Sequence, residues 1–492
     1  MRTTLVHALV TPPRQLLQCE HNAVAGPYSA LLRRMTDIAA RAYAAAPVWM
    51  QNLMISAYGA RLRRMRYGPE QRRNLAHIRG ASWAPPNGQR AVQLAELNRV
   101  LSHARQTVPF HLTRIPPRPL VSLEQLTDVP LMTKTEVRLS GRELISRQFG
   151  NEKLLEVHTG GTTGTPLTIY CDRHSLRRNY AFFARFLESA GIPANARVAT
   201  FAGRVIVPPG TEGPPFWRYN VAGRAMLCSS YHIGEDSVAA YANALARFRP
   251  AFIDSYPSSI LPIARYLLRT GDDRIRPRAV VTSSETLLAA DRTAIADAFG
   301  CPVFDHYGAA EMAAFITQCA AGEYHPNADY GIVEVLRNGV PVAPGETGQL
   351  VATGFINPVM PLIRYVTGDL AVRGSDEPCR CGSPFPRLSR IIGREDDVLI
   401  TPEGNRIGRL DPIFKTVSSL SETRIVQDTT SHVRVELVSA RPLEPSEEES
   451  LRSGLRNRLG PSMTIDFVRV PRLERTAGGK LRSVVNLTAS RS

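Results

Sequence analysis

The sequence predicts an α/β protein with a large N-terminal region of layered sheets and helices and a small α+β C-terminal domain. Three observations predict this organisation. The chain of 492 residues is too long for one ordinary hydrophobic core. Short apolar strands alternate with amphipathic helices between residues 120 and 392. Beyond residue 393, two strands, a helix and a further strand follow in that order.

The predicted elements of the large region follow from periodicity. Residues 93–105 carry leucines at helical spacing, and residues 109–119 form an irregular connector. Residues 279–282 and 302–304 are short apolar strands, and residues 288–299 form an amphipathic helix. This alternation is typical of α/β layers.

The C-terminal elements form a second pattern. Residues 423–428 and 432–438 predict a hairpin, residues 446–459 a helix and residues 464–470 a last strand. About 100 residues are enough for a compact α+β domain of this kind.

Composition indicates a globular protein without a membrane span. Apolar residues make up 43% of the chain, and no apolar run reaches the roughly 18 to 20 residues that a bilayer crossing needs. The N-terminus lacks the continuous apolar core and the small-residue cleavage site of a signal peptide. We therefore expect a soluble protein that resides in the cytoplasm.

The positive charge is concentrated at the N-terminus. Within the first 90 residues, 13 arginines and no lysine stand against three acids, so +10 of the net charge of +16 lies there. Apolar residues at helical spacing predict a basic helical cap. A solvated arginine-rich face is the simplest interpretation, and an anionic membrane surface or an acidic partner is the alternative. Nucleic acid is not expected, because no recognition motif accompanies the arginines.

A loop rich in glycine and threonine is the strongest local motif. Residues 158–166 read HTGGTTGTP and lie between two strand-like runs. Successive backbone N–H groups and hydroxyls in such a loop can bind a polyphosphate. The spacing is not that of a Walker A loop. A flexible turn is the structural alternative.

The loop and five further segments resemble, in order, the signatures of adenylate-forming ligases. VVTSSETL at 280–287 resembles the adenine-side strand and loop, and DHYGAAE at 305–311 the segment that stacks on adenine and helps to hold magnesium. RYVTGDL at 364–370 resembles the ribose-binding segment, and GREDDVLI at 393–400 the hinge. ERTAGGKLR at 474–482 resembles the loop with the catalytic lysine.

Three segments resemble the phenylacetate-CoA ligase branch and its capsule-biosynthesis (CapK-like) relatives. They are PLMTKTEVR at 130–138, MPLIRYVTGD at 360–369 and the N-terminal stretch at 47–68. The resemblance covers nearly the whole chain. It implies a basic helical cap and connector at residues 1–119, an ATP-binding and substrate-binding core at 120–395 and a small mobile C-terminal domain at 396–492.

The resemblance assigns roles to residues of these segments. It implies Lys480, Thr163 and Glu311 as catalytic residues, Glu311 as a magnesium ligand and Asp396 as the hinge. The implied ATP-binding residues are Thr159, Gly160, Gly161, Thr162, Thr163, Gly164, Ser284, Glu285, Thr286, Tyr307, Gly308, Asp369, Arg394 and Lys480. The implied substrate-binding residues are His232, Tyr256, Ser258, Ser259 and Ala309.

Two residues depart from the pattern of relatives, which often have a lysine at the position of Thr165 and a hydroxyl residue at that of Ala310. Losing such donors removes charge stabilisation of about 1 to 3 kcal/mol. Lysine is also scarce in this chain. The four lysines are Lys134, Lys153, Lys415 and Lys480.

Two groups of cysteine and histidine predict a metal site. Seven cysteines spread over this length do not suggest a disulfide framework. Cys319 and His325, together with Cys379 and Cys381, supply three thiolates and one imidazole, which suit a tetrahedral structural zinc. Reduced thiols without a metal are the alternative.

The resemblance implies that a small carboxylic acid is activated with ATP and magnesium to an acyl-adenylate. The acceptor of the second step is left open among coenzyme A, an amine, a carrier protein or none. Two other functions are left open as well: an AMP transferase that acts on a hydroxyl, and a non-catalytic nucleotide-binding assembly protein.

Overall fold

The structure is a computed structural model. It describes residues 41–81, 86–150, 154–158, 167–202, 206–208, 211–230, 232–394, 399–402, 406–407, 410–414, 417, 419–439, 441–473 and 484–488. None of the helices in these ranges combines the length and the hydrophobicity that a membrane crossing requires.

The helices of the described chain fall into an N-terminal group, a group that flanks the large sheet and a C-terminal group. In chain order they are α1 (Val48–Arg66), α2 (Pro69–Ala81), α3 (Pro86–Thr107), α4 (Lys134–Ser140), α5 (Arg173–Ser189), α6 (Glu235–Phe248), α7 (Pro257–Thr270), α8 (Ala289–Phe299), α9 (Asp411–Phe414) and α10 (Pro445–Leu459).

The strands belong to one large sheet, one four-stranded sheet and two short hairpins. In chain order they are β1 (Leu155–His158), β2 (Thr168–Cys171), β3 (Val198–Ala202), β4 (Trp217–Asn220), β5 (Ala225–Ser229), β6 (Phe252–Ser255), β7 (Ala279–Ser283), β8 (Val303–Gly308), β9 (Phe315–Gln318), β10 (Tyr324–Pro326), β11 (Gly331–Arg337), β12 (Val340–Pro341), β13 (Thr347–Gly354), β14 (Tyr365–Arg373), β15 (Leu388–Arg394), β16 (Leu399–Ile400), β17 (Arg406–Ile407), β18 (Leu420–Thr429), β19 (His432–Ser439), β20 (Thr464–Arg469) and β21 (Val484–Asn486).

The large sheet has 13 strands in the order β12-β11-β13-β14-β15-β10-β9-β8-β7-β6-β3-β5-β4. Strands β5, β3, β6, β7 and β8 run parallel, and we call them the parallel half. From β8 to β12 the described pairings are antiparallel, and we call strands β9 to β15 the antiparallel half. The two halves meet at β8.

Helices cover both faces of the parallel half. On one face, α6, α7 and α8 bury residues such as Tyr241, Ile263 and Ile295 against the sheet. On the other face, α2 and α5 pack residues such as Ile78 and Phe182 against it. Burying a large apolar side chain contributes roughly 1.5 to 3 kcal/mol, so these two layers stabilise the strand ends that carry the site.

The N-terminal helices pack on the large sheet. Helix α1 lies against β4, where the close approach of Gly59 to Asn220 leaves no space for a side chain on residue 59. Helix α3 buries Leu97 and Leu101 beside Phe355. The predicted helix at 93–105 is confirmed inside α3 and is longer at both ends.

The C-terminal region has its own sheet and core. Its strand order is β20-β19-β18-β21, and α10 packs Leu451 and Leu455 against it. The predicted hairpin, helix and last strand are confirmed as β18, β19, α10 and β20. The large layered region and the small α+β region agree with the predicted fold class. The residue boundaries of the three predicted domains stay a prediction.

Candidate functional site

Two predicted nucleotide segments lie at the carboxyl ends of β7 and β8, which is where ligands bind in open α/β sheets. Ser284, just after β7, has a φ of 65°, an uncommon value for a residue with a side chain. The Glu285 carboxylate accepts hydrogen bonds from the N–H and the hydroxyl of Ser258 at 3.0 and 2.9 Å. Thr286 donates to the Ile392 carbonyl at 2.9 Å. This loop is therefore tied to both α7 and β15.

Tyr307 and Asp369 come from segments far apart in sequence and meet at the junction of the two halves. The Tyr307 hydroxyl donates to the Asp369 carboxylate at 2.8 Å. Burial and the nearby Asp369 charge raise the pKa of Tyr307 well above its usual value. Asp369 is also the backbone neighbour of Arg394 across β14 and β15. The structure thus brings the predicted adenine and ribose segments together.

Glu311 lies in the turn after β8. Its carboxylate accepts a hydrogen bond from the Tyr365 hydroxyl at 3.1 Å. Burial raises the pKa of Glu311, the positive charge of Lys134 and the bond from Tyr365 oppose that rise, and the charge of Asp369 adds to it. Two carboxylates and one ammonium group are therefore close together at this site.

The segment before α4 brings Lys134 to this site. Met132 forms a parallel bridge with Tyr365, with backbone hydrogen bonds of 2.9 and 2.8 Å to Arg364 and Val366. Thr133 caps α4 in a capping box with Glu136, so the chain turns into the helix at Lys134.

Buried Arg364 fixes the same segment from the other side. Its guanidinium pairs with Glu334 at 2.9 Å and donates to the carbonyls of Thr127 and Val129. The position of Lys134 is therefore set by a backbone bridge, a helix cap and a buried ion pair.

Lys134 is a site residue to which sequence reasoning gave no role. A side chain added at Gly368, whose φ is 73°, would come within 3.1 Å of the Lys134 Nζ atom. The positive φ favours glycine at 368, and the close approach places the Lys134 ammonium group beside the backbone that precedes Asp369. The scarcity of lysine and the PLMTKTEVR segment were the signals that could have found it.

The predicted substrate-binding residues do not form one wall. Ala309 lines a large cavity described below. His232 shares a hydrogen bond of 2.8 Å with the Ser229 hydroxyl, and its ring stacks on Phe216. Ser258 is bonded to Glu285 as described above. The residues that line the cavity in the described chain do not include His232, Tyr256, Ser258 or Ser259.

Several predicted residues lie outside the described residues. They are the phosphate-loop residues Thr159, Gly160, Gly161, Thr162, Thr163, Gly164 and Thr165, the hinge residue Asp396, and Lys480. The strands that flank the phosphate loop are described, and they pair antiparallel up to His158 and Thr168. The two flanking strands therefore pair in the antiparallel way that the sequence predicts.

The four predicted zinc ligands are close together. The ligand atoms of Cys319, His325, Cys379 and Cys381 all lie within 4.8 Å of one another. The Cys319 and Cys379 sulfurs are 3.9 Å apart, and the Cys381 sulfur is 3.4 Å from His325 Nε2. A sulfur separation of this length is not a disulfide.

The surroundings of His325 fit a metal ligand. Its Nδ1 is 3.2 Å from the Phe385 carbonyl oxygen and 3.1 Å from that of Pro386. Two acceptors at Nδ1 place the ring proton there, which leaves Nε2 with a lone pair directed toward the cysteines. Three sulfurs and one such nitrogen are a donor set suited to tetrahedral zinc.

The C-terminal residues 399–487 match the family model described as the CapK C-terminal domain. Protein CapK of Staphylococcus aureus is 27% identical over 453 residues, which cover 90% of this chain and 98% of CapK. The chain is thus similar to the CapK-like and phenylacetate-CoA ligase branch of the adenylate-forming superfamily. The phenylacetate-coenzyme A ligase of Thermus thermophilus is 24% identical and covers 81% of this chain and 96% of its own length.

Solved structures show the same fold. A 2-hydroxyisobutyryl-CoA ligase in its postadenylation state, in complex with an acyl-AMP, superimposes with a TM-score of 0.59. The two proteins are 21% identical, and the match covers 83% of this chain and 92% of the ligase. The relatives confirm the predicted resemblance to this superfamily, and the solved structures confirm the predicted fold.

Proposed function

We propose that this protein activates a carboxylic acid with ATP to an acyl-adenylate and then transfers the acyl group to coenzyme A. One observation carries the proposal: Tyr307, Glu311, Asp369 and Lys134, from distant segments, converge at the carboxyl end of β8. The converging motifs are those by which the chain resembles adenylate-forming ligases, and the phenylacetate-coenzyme A ligase of Thermus thermophilus carries a ligase activity in its name.

In the first step, a carboxylate oxygen of the acid attacks the α-phosphorus of ATP. A new bond forms between that oxygen and phosphorus, the bond to the bridging oxygen breaks, and pyrophosphate leaves with its electrons. Negative charge builds on the phosphoryl oxygens as this happens. Cationic donors that are already in place lower the barrier, because they need no reorganisation.

The described residues have distinct tasks in this step. The face of Tyr307 offers an apolar surface for adenine, and Asp369 can accept hydrogen bonds from ribose hydroxyls. Glu311 would hold magnesium, which, when bound, neutralises phosphate charge through oxygen coordination. Lys134 adds a fixed positive charge beside these carboxylates. We propose that it replaces the cation that relatives often have at the position of Thr165.

The remaining roles fall on residues outside the described ranges. The resemblance gives the Thr162–Thr163 loop and Lys480 to the phosphates, and Asp396 to the hinge of the C-terminal domain. For the acceptor, the thiol of coenzyme A would attack the acyl carbon, and AMP would leave. A 2-hydroxyisobutyryl-CoA ligase was captured with an acyl-AMP and coenzyme A in the thioesterification state, with a TM-score of 0.53, which supports this choice.

The experiment is acid-dependent exchange of labelled pyrophosphate into ATP, followed by addition of coenzyme A. We expect exchange only when a suitable acid is present, and release of AMP with a thioester when coenzyme A is added. Exchange that needs a hydroxyl compound instead of an acid would identify an AMP transferase. Nucleotide binding with no exchange in a broad acid panel would identify a non-catalytic binder.

A further inference from the structure

A large cavity lies on one face of the parallel half, with a volume of about 1150 Å³. Its floor is made by side chains of adjacent strands that share one face, because register partners in a sheet point the same way. Thr200 is the partner of Asp254 across β3 and β6, and Ser283 is the partner of His306 across β7 and β8. These four polar residues all line the cavity.

The N-terminal helices and α5 roof this cavity. Tyr67, just beyond α1, packs against Tyr180 of α5 with ring centroids 5.5 Å apart, and the Arg66 guanidinium lies 4.8 Å over the same Tyr180 ring. The Arg63 guanidinium of α1 donates hydrogen bonds to Asn195 Oδ1 at 2.6 Å and to the Ala222 carbonyl at 2.7 Å. These bonds hold α1 against the opposite wall of the cavity. The described part of the predicted basic cap therefore contributes to the roof of this cavity.

The cavity reaches the nucleotide site at the end of β8. Its wall includes Gly308, Ala309 and Ala310, which lie between Tyr307 and Glu311. Neighbouring residues on a strand point to opposite faces, so Tyr307 faces Asp369 while His306 faces the cavity. If the carboxylate of the acid is held beside Gly308, the rest of the acid lies beneath α1 and α2.

His306 has hydrogen-bonding capacity that the described chain does not use. Its Nδ1 is buried and has no hydrogen-bond partner among the described residues. The ring packs near Phe183, Phe186 and Phe315, with centroids 5.3 to 5.8 Å away. Burial lowers the pKa of His306 to about 4, so the ring is neutral at pH 7 and offers one donor and one acceptor. A buried polar group of this kind calls for a polar partner.

Asp254 gives the middle of the floor a carboxylate. Burial raises the pKa of Tyr67 to about 12, the charge of Asp254 contributes to that rise, and both residues line the cavity. The Asp254 carboxylate can accept a hydrogen bond from a hydroxyl group of the acid, which an apolar acyl group cannot donate.

We propose that this cavity holds the acyl part of the acid and that the acid carries several hydroxyl groups. This inference rests on the proposed adenylation. The volume exceeds what an arylacetate fills, and four parallel strands each contribute a polar side chain to the lining: Thr200, Asp254, Ser283 and His306. His306 and Asp254 are the residues that select hydroxylated acids over apolar ones.

A shape-matched pair of acids tests this selection. Shikimate and 1-cyclohexene-1-carboxylate share one carbon skeleton and differ only in the hydroxyl groups. We expect shikimate to support faster pyrophosphate exchange than its apolar match, by about tenfold or more, since a site built for hydroxyls discriminates strongly against analogues that lack them. We expect His306→Phe and Asp254→Asn each to reduce that ratio about tenfold. His432→Phe, in the C-terminal sheet, is the matched control and should leave the ratio as it is.

Acid binding without chemistry separates this inference from the proposed function. The thermal midpoint of the protein is measured with each acid alone, for the wild type and for His306→Phe. If shikimate raises the midpoint only in the wild type while no acid supports exchange, the adenylation fails and the cavity assignment stands. If the apolar acid gives the larger rise or the faster exchange, or if neither acid raises the midpoint, the hydroxylated-acid assignment is overturned.

Discussion

The two halves of the large sheet carry chemistry of different kinds. In the antiparallel half and at its junction, site residues such as Asp369 and Glu311 are bonded to tyrosine hydroxyls of the same region. In the parallel half, Asp254 and His306 line a large cavity under helices. One half is pre-organised by bonds within the protein, and the other is shaped to receive a ligand. The difference indicates that nucleotide recognition and acid selection can be altered separately.

The largest expected effect concerns Lys480, to which the proposed function assigns a phosphate contact. Replacing Lys480 by alanine should lower the rate of adenylate formation by about 100-fold or more, because a charge-stabilising donor is lost. Lys480→Arg should also be poorly active, since a planar guanidinium does not replace a compact ammonium. The measurement is single-turnover adenylate formation. Lys415→Ala is the matched control, and near-normal rates for Lys480→Ala would remove this lysine from the mechanism.

Removing the metal should destabilise the antiparallel half of the sheet, where the cysteine and histidine cluster lies. Purified protein should contain about one zinc per chain, and Cys381→Ser should lose the metal and lower the thermal midpoint by roughly 5 °C or more, because metal binding is linked to folding. Metal analysis and calorimetry check this. Cys301→Ser, at a cysteine outside the cluster, is the control. A freshly purified, unchelated protein without zinc would contradict the assignment.

A smaller effect should appear for the cation at the junction. Lys134→Ala should raise the KM for ATP about tenfold, as expected for the loss of a charge-assisted contact of about 1.4 kcal/mol. Lys134→Arg should recover part of that loss. The exposed Arg142, close to the end of α4, supplies a control in Arg142→Ala. An unchanged KM for ATP with an altered KM for the acid would place Lys134 with the acid instead.

The smallest expected effect is a pH dependence of stability. Burial lowers the pKa of His111 and of His306 to about 4, against about 6.5 for an unfolded histidine. Below pH 6.5 these two histidines become protonated in the unfolded chain but stay neutral in the folded chain. The free energy of unfolding should therefore fall as the pH drops from about 6.5 to about 4. The loss should be on the order of 1 kcal/mol per histidine by pH 5.5.

Urea midpoints at pH 7 and pH 5.5 measure this dependence. His306→Phe should flatten it without abolishing it, because burial also lowers the pKa of His111, which is retained in the variant. An identical dependence in wild type and variant would show that His306 is not held neutral by burial.

Much of the fold could be predicted from the sequence because local periodicity reports on local structure. The predicted strand at 279–282 is confirmed as β7, and the predicted helix at 446–459 as α10. The nucleotide segments could be found because their chemistry needs particular residues at fixed spacing. The order of the motifs along the chain was enough to predict these segments without knowledge of any three-dimensional contact.

The proposed acid-binding cavity could not be predicted in the same way. Whether His306 or Tyr307 faces the nucleotide depends on which face of β8 the helices cover, and that is a tertiary property. Ser258 has the residue type of a substrate ligand, but its hydroxyl is bonded to Glu285. The position of Lys134 depends on a bridge between Met132 and Tyr365, residues that are distant in sequence.

The positions of the cysteine and histidine cluster in the chain also determine when the cluster can form during synthesis of the protein. Its members Cys319 and Cys379 are 60 positions apart, and β10 to β14 lie between them. Closing so long a loop costs about 3 to 4 kcal/mol of chain entropy, which a bound ion can offset. On the ribosome, all strands of the parallel half are available once Gly308 has emerged, whereas the cluster is complete only after Cys381. Metal capture would therefore come after the cavity face has formed, as a late step that locks the antiparallel half in place.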